Sequence, residues 1–222
     1  MLKPKKRITR QQIKEDKLIT FTTKVTDYYR RNSRNVIAGA GILVVLIVVV
    51  FFYFNSHAQA ENEATYDLTM AKIEIGQRNY DAAAQKLTVI IDTYGGTKTA
   101  GDALFFLGNV RLSTQEWESA ITEFQQYLDK YGKDHMLTAG AIAGIGFAYE
   151  QEQKFPEAAE YYMKAATNYP HEFNAPQYLL DAGRCYGLGG NPVKAREAFQ
   201  SIIDQYPEST QIQKAKDELN RW

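Results

Sequence analysis

The sequence has a single cysteine, Cys185, and this scarcity limits its covalent chemistry. One cysteine cannot form a disulfide within the chain, and a metal site built from several cysteines is excluded for the same reason. Free cysteine is among the most buried residue types, so we expect Cys185 to act as a small apolar residue of the core. A fold without disulfides suits a reducing compartment and an oxidising one equally well.

Patterns that carry catalysis or ligand binding are also missing. The three histidines, His57, His135 and His171, lie far apart and lack the spacing of metal ligands. Residues 95–99 resemble a phosphate-binding loop only in part, because the earlier glycine of that motif is absent. The sequence therefore predicts a protein that is not an enzyme and that has no cofactor or metal. No nucleic-acid reader motif accompanies its basic residues, so we expect no nucleic-acid partner.

Charge is absent from one long stretch of the chain, which separates two oppositely charged parts. Residues 1–34 contain 11 Lys/Arg against three Asp/Glu, a net charge of +8, whereas residues 35–222 contain 15 against 23, a net charge of −8. Between them, residues 36–54 form a run without any charged or strongly polar side chain. As a helix this run is about 28 Å long, close to the hydrocarbon thickness of about 30 Å. The run is therefore predicted to be a single transmembrane helix.

The basic residues determine the predicted orientation. All those of the N-terminal segment precede the span, and no lysine or arginine occurs from Asn55 to Ala71. Positively charged short segments stay in the cytoplasm, so residues 1–35 are predicted to be cytoplasmic. Residues 55–222 then lie in the periplasm, with the span in the inner membrane. A signal peptide cleaved after Ala60 is the alternative, but the length of the basic segment and of the apolar run favours an uncleaved anchor.

The basic segment has its own periodicity. Leu18, Phe21, Val25 and Tyr28 recur at helical spacing among lysines and arginines. This pattern is typical of a basic amphipathic helix that lies on a membrane surface. A loosely ordered segment whose charges only set the topology fits the same residues.

Three columns of residues recur through the rest of the chain, each with spacings of 37, 38 and 37 residues. They are Ala71, Gly108, Gly146 and Gly183; Ala83, Ala120, Ala158 and Ala195; and Tyr94, Tyr131, Tyr169 and Tyr206. A fixed period of this length indicates a solenoid of repeated units. The small residues of the first two columns allow the paired helices of a unit to pack closely.

The pattern within each unit resembles the tetratricopeptide repeat, whose signature is Trp-x2-Leu-Gly-x2-Tyr, then Ala-x3-Phe, then Pro. The third unit carries it as Ile142, Ile145, Gly146, Tyr149, Ala158, Tyr162 and Pro170, and the first unit is degenerate. The resemblance implies an all-α fold, an α-solenoid of about four helix pairs over residues 64–209. Residues 55–63 are then a linker, and residues 210–222 a C-terminal capping helix that begins after Ser209 and reaches Leu219 and Trp222.

In tetratricopeptide proteins the first helix of each unit lines a concave face. The resemblance therefore implies a protein-binding groove that contains Leu68, Lys72, Phe105, Asn109, Phe147, Leu180 and Arg184, together with Ala143. This mixture of apolar and polar side chains suits an extended or helical segment of a partner. The alternative is that Phe105 and Phe147 only pack the superhelix.

A basic segment, one span, a short linker and a repeat array together resemble the YfgM-like family, with residues 24–87 carrying the likeness. Members of that family are ancillary subunits of the Sec translocon that hand secreted proteins to periplasmic chaperones. The resemblance implies a membrane-tethered periplasmic adaptor that binds proteins during translocation or envelope biogenesis. Its expected partners are the translocon, a periplasmic chaperone or other membrane complex subunits. The alternative is a fixed structural accessory subunit of a larger membrane protein complex.

Overall fold

The computed structural model describes residues 10–221, with side chains from residue 19 onward. This part of the chain contains nine helices and no strand, so the predicted all-α fold is confirmed. The helices are α1 (Arg10–Gly76), α2 (Tyr80–Thr93), α3 (Lys98–Ser113), α4 (Trp117–Lys130), α5 (His135–Gln151), α6 (Phe155–Asn168), α7 (Ala175–Leu188), α8 (Pro192–Gln205) and α9 (Ile212–Arg221). The chain divides into two compact parts between Ser56 and His57, and each part is described separately.

The N-terminal part lies within helix α1. The helix is interrupted at Asn32, whose φ of −122° and ψ of 25° are not helical. Beyond this break, the large apolar side chains of residues 36–54 are exposed, as for Leu46 at 56% and Phe54 at 66%. Within residues 19–221, one helix is long and apolar enough to cross a membrane, by its length and composition.

The second part, here called the repeat array, consists of residues 57–221. Its first helices are residues 57–76 of α1 followed by α3, α5 and α7, and its second helices are α2, α4, α6 and α8. The second helices begin at Tyr80, Trp117, Phe155 and Pro192. Each starts three residues before the alanine of the second column.

The turn within each pair has the same backbone conformation in all four units. One residue per turn has a positive φ: Arg78 (62°), Gln115 (63°), Gln153 (60°) and Gly190 (80°). Their spacings of 37, 38 and 37 residues match the sequence columns. Of the four, only Gly190 adopts this left-handed conformation without steric strain at a Cβ atom.

The glycine column provides the close helix contact that the sequence predicts. A Cβ atom added at Gly183 would lie 2.5 Å from the ring of Phe199 on the paired helix. The same addition at Gly108 would lie 2.6 Å from the ring of Phe124. At Gly146 the nearest atoms, the carbonyl oxygen of Ala158 and the ring of Tyr162, would be 3.2 Å away. The aromatic ring four residues after the alanine therefore occupies the space that the glycine leaves.

The tyrosine column links successive units. The hydroxyl of Tyr206 donates to the carbonyl oxygen of Pro170 at 2.9 Å, and that of Tyr131 donates to the carbonyl oxygen of Gly95. Pro170 and Gly95 directly follow the tyrosine of the preceding unit. The hydroxyl of Tyr94, in the first unit, donates instead to Asp67 Oδ2 at 3.3 Å.

The segment predicted as a linker differs from that expectation, because residues 57–63 belong to helix α1 and Glu61 contacts the start of α3. Glu61 accepts hydrogen bonds from the backbone N–H groups of Lys98 (2.9 Å) and Thr99 (3.1 Å) and from the Thr99 hydroxyl (2.6 Å). Its carboxylate thus satisfies free N–H groups at the start of α3, where the helix dipole favours a negative charge. The array therefore begins about two helical turns before residue 64.

The predicted capping helix is present as α9, which begins at Ile212, two residues later than expected. Ser209 lies before it, and its Oγ accepts a hydrogen bond from the N–H of Gln211 at 3.1 Å. Ala215 is buried, and Ile212 and Leu219 pack against the core of the third and fourth units. Of the predicted segments, residues 1–9 and Trp222 lie outside the described residues.

Candidate protein-binding surface

The predicted groove residues form two columns on the first helices. The inner column consists of Leu68, Phe105, Ala143 and Leu180, and the outer column consists of Lys72, Asn109, Phe147 and Arg184. Both columns have the spacings of 37, 38 and 37 residues, so each unit contributes one residue to each column. The two columns differ in burial.

The inner column packs the array. Leu68 is only 5% exposed within the core of the first unit, and Ala143 is only 6% exposed. Leu180 is half-buried against the core of the third and fourth units. The prediction that Leu68 faces a partner is therefore corrected, because its side chain is buried in a core cluster formed by helices of the first and second units.

Phe105 joins the second unit to the third. Its ring contacts Gly140 on α5, where an added Cβ atom would lie only 3.2 Å away. The ring centroids of Phe124 and Tyr127 are 5.9 Å and 6.0 Å from that of Phe105. For Phe105 the structure thus supports the alternative interpretation, in which the ring packs the superhelix.

The outer column has more exposed surface. Lys72 is exposed, and its Nζ lies 4.3 Å from the ring centroid of Phe106, a cation–π contact between α1 and α3. Asn109 is half-buried, and its Nδ2 donates to the carbonyl oxygen of Phe105 at 2.8 Å. Phe147 is 40% exposed, with its ring centroid 6.2 Å from that of Trp117 in an edge-to-face arrangement. Phe106 and Trp117 also belong to this surface, although the repeat pattern did not indicate either residue.

Arg184, the last member of the outer column, is held by carboxylates. Its Nη1 pairs with Glu150 Oε1, and its Nη2 lies 2.9 Å from Glu150 Oε2 and 3.3 Å from Asp181 Oδ1. The hydroxyl of Tyr162 donates to Glu150 Oε2 at 3.0 Å. The guanidinium therefore joins α7 to α5, whereas the sequence predicted a cation that faces a partner.

The titration behaviour of this cluster follows from its burial. Burial alone would raise the pKa of Glu150, but hydrogen bonds from Arg184 and Tyr162 outweigh it and lower that pKa. The hydrogen bond to Glu150 raises the pKa of Arg184. Burial raises the pKa of Asp181, and it raises the pKa of Cys185 to about 12. Cys185 is buried, as expected, and its thiol stays protonated and unreactive at neutral pH.

A second open surface lies at the ends of the second helices. A cleft of about 640 Å³ lies between residues 170–177, which lead into the start of α7, and residues 205–211. Phe173, on the edge of this cleft, is 95% exposed. Phe173 therefore places an exposed apolar ring beside a cleft, which is the combination that an apolar side chain of a partner requires.

Comparisons with known proteins identify the repeated unit. Family models of the tetratricopeptide repeat match residues 68–135 and residues 177–209. The chain contains tetratricopeptide repeats. No curated protein matches it closely enough in sequence to be counted as a relative.

Solved structures share the tetratricopeptide fold with this chain. The MamA protein is 19% identical with a TM-score of 0.55, and the match covers 70% of this chain and 76% of that one. YrrB, described as a TPR protein with an unusual peptide-binding site, is 19% identical with a TM-score of 0.53 over 69% and 74%. PilF of Pseudomonas aeruginosa is 18% identical with a TM-score of 0.51 over 70% and 66%. At these identities the likeness shows the fold alone.

The tetratricopeptide fold is that of a scaffold for protein–protein interactions, generally without enzymatic activity. Its units cannot bury their apolar faces alone, and stacking them creates the extended surfaces on which partners bind. The fold therefore agrees with the predicted adaptor, and the outer column and the cleft are two of the surfaces that the array leaves open.

Proposed function

We propose that the protein is a membrane-tethered adaptor whose tetratricopeptide array binds proteins in the periplasm during translocation or envelope biogenesis. The observation that supports this proposal is that one helix, α1, includes both an apolar run and part of the repeat array. It contains the exposed apolar run at residues 36–54 and, from His57 onward, the first helix of the array. The basic residues before the run support a cytoplasmic N-terminus. The resemblance to the YfgM-like family supports a role beside the translocon.

We further propose that partners bind at the outer column. Phe147 and Trp117 offer two aromatic rings at van der Waals distance from each other, and half-exposed aromatic side chains are common anchors of protein interfaces. Lys72 and Asn109 supply polar groups on the preceding first helices. An extended or helical segment with an apolar side chain suits this arrangement.

The orientation is tested by protease accessibility in cells whose outer membrane has been permeabilised and whose cytoplasmic membrane is intact. We expect protease added outside the cytoplasmic membrane to degrade residues 57–222 and to spare the anchor, because all flanking basic residues precede the span. Tags at the two termini report the fragments on a blot. Protection of the array with loss of the N-terminal tag would reverse the topology. A mature chain that begins at Glu61 would establish cleavage after Ala60.

The binding surface is tested by truncating Phe147 to alanine. Because its ring is 40% exposed, the change should leave the array folded while weakening partner binding by more than about 1 kcal/mol. The measurement pairs thermal unfolding with quantitative recovery of partners after mild-detergent purification. A fixed accessory subunit would give one partner at a constant ratio, whereas an adaptor would give several at low occupancy.

Two matched variants complete this test. Phe105→Ala removes a ring that packs the units, so it should lower stability by about 2 kcal/mol and reduce binding only through unfolding. Phe173→Ala removes the exposed ring of the cleft. Normal partner recovery by well-folded Phe147→Ala would exclude the outer column as the binding surface. A loss of partner recovery with Phe173→Ala would indicate that partners bind at the cleft.

A further inference from the structure

The helix before Asn32 has an apolar face that is open to its surroundings. Phe21, Val25, Tyr28 and Tyr29 are 66%, 51%, 65% and 48% exposed. At about 100° of rotation per residue, these four side chains fall within an arc of about 100° on one side of the helix. Such an apolar stripe normally packs on a protein core, but here its side chains are exposed.

The opposite side of the same helix is polar and basic. It carries Thr20, Thr23, Lys24, Asp27, Arg30 and Arg31, with Ile19 as one apolar residue at its edge. Three cations against one carboxylate give this side a net positive charge. A helix with one apolar face and one basic face is complementary to the boundary between acyl chains and anionic headgroups.

The hydroxyl groups near the edge of the apolar face are satisfied within the helix. Thr22 Oγ1 donates to the carbonyl oxygen of Ile19 at 2.9 Å, and Thr26 Oγ1 donates to that of Thr22 at 2.7 Å. A hydroxyl that bonds to its own helix needs no water partner. These threonines are therefore compatible with a poorly hydrated environment.

The break at Asn32 allows the helix before it to run in a different direction from the helix after it. Asn32 has non-helical dihedral angles and precedes the apolar run by only three residues. A break in the hydrogen-bond ladder is a point at which a helix changes direction. A chain that crosses the bilayer at residues 36–54 can therefore turn at Asn32 and continue along the membrane surface.

We propose that residues 19–31 form an interfacial helix on anionic lipid headgroups at the cytoplasmic face of the membrane. Phe21, Val25 and Tyr28 insert toward the acyl chains, and the cations of the opposite side contact headgroup phosphates. This inference rests on the proposed membrane anchoring. It adds a second lipid contact, to which the basic residues contribute through their attraction to an anionic surface.

The test uses the full chain in vesicles of phosphatidylcholine with phosphatidylglycerol and a spin-labelled lipid quencher. A fluorophore is attached to single cysteines introduced by Phe21→Cys or Val25→Cys and, as matched controls, by Thr23→Cys or Asp27→Cys. Native Cys185 is buried with a raised pKa, so it does not compete for the label. We expect about threefold stronger quenching at positions 21 and 25 than at positions 23 and 27, following the helical period.

One further label distinguishes a failure of the interfacial helix from a failure of the membrane anchor. A label at Val45→Cys, within the apolar run, should be quenched in every vesicle. If it is quenched while positions 21 and 23 are equally weak or equally strong, the interfacial helix is refuted and the anchor stands. If position 45 is not quenched, the anchor itself is refuted and this inference falls with it.

The choice of anionic headgroups is tested by charge. Replacing phosphatidylglycerol by phosphatidylcholine, with the spin-labelled lipid kept, should reduce the quenching at position 21, and the double variant Lys24→Gln/Arg31→Gln should give the same reduction in anionic vesicles. Quenching that is indifferent to both changes would show that the helix does not recognise anionic headgroups.

Discussion

Replacing Gly183 by leucine is expected to lower the free energy of unfolding of the repeat array by about 3 kcal/mol, near the upper end for overpacking. The first added carbon already meets the ring of Phe199 at 2.5 Å, and Phe199 is fully buried. The ring has no free space to move into, because the core around it is close-packed. Loss of the fourth unit should also weaken the third, since each unit is stabilised by its neighbours.

The measurement is denaturant unfolding of the fragment 57–222, which forms one compact part of the chain. Gly76→Leu is the matched control, because an added Cβ at Gly76 has no atom within 4 Å. Gly146→Leu should be intermediate, since its nearest contacts are 3.2 Å away. Equal stability of all three variants would show that the glycine column does not set the distance between the helices.

The sequence predicted the positions of the repeated contacts better than their chemistry. The period predicted that the units are equivalent, and the second helices do begin at equivalent positions, as at Tyr80, Trp117 and Phe155. The tyrosine column was visible, but its role was not. The hydroxyls of Tyr131 and Tyr206 bond to backbone carbonyl oxygens of the preceding unit, and such an acceptor cannot be recognised in a sequence because every residue has one.

Contacts that occur in only one unit could not be predicted from the repeat period. Glu61 lies outside the repeat signature, so its hydrogen bonds to the start of α3 had no counterpart in other units. The two groove columns looked alike in the sequence, because both have the same spacing. Leu68 is buried and Phe147 is partly exposed, because the adjacent helices cover the two columns to different extents. This difference depends on the packing of the assembled array.

The ion pair between Glu150 and Arg184 is the clearest such case, and its removal gives the second large effect. Arg184→Met should lower the free energy of unfolding by about 2 kcal/mol at neutral pH. The Glu150 side chain is 13% exposed, so the variant leaves a largely buried carboxylate without its cation. The partial exposure of Arg184, 40%, keeps the effect below that of a fully buried pair.

The same variant should reverse the contribution of Glu150 to the pH dependence of stability. In the unmodified protein the pKa of Glu150 is lowered, so its contribution is present above the unfolded pKa and is lost as the pH falls through the folded pKa. Without Arg184, burial dominates and raises the pKa of Glu150 above its unfolded value. The deficit of Arg184→Met should therefore shrink as the pH falls from neutral to about 5.

Two comparisons make this result specific to the buried pair. Lys194 pairs with Glu160 at 2.8 Å across the same two units, but both side chains are exposed, so Lys194→Met should change stability by less than about 1 kcal/mol at any pH. Combining Glu150→Gln with Arg184→Met removes the stranded charge, so the double variant should be more stable than Arg184→Met at neutral pH. If Arg184→Met is as stable as the unmodified array but loses its partners, Arg184 serves the binding surface, as the sequence first predicted, and the ion pair is dispensable to the fold.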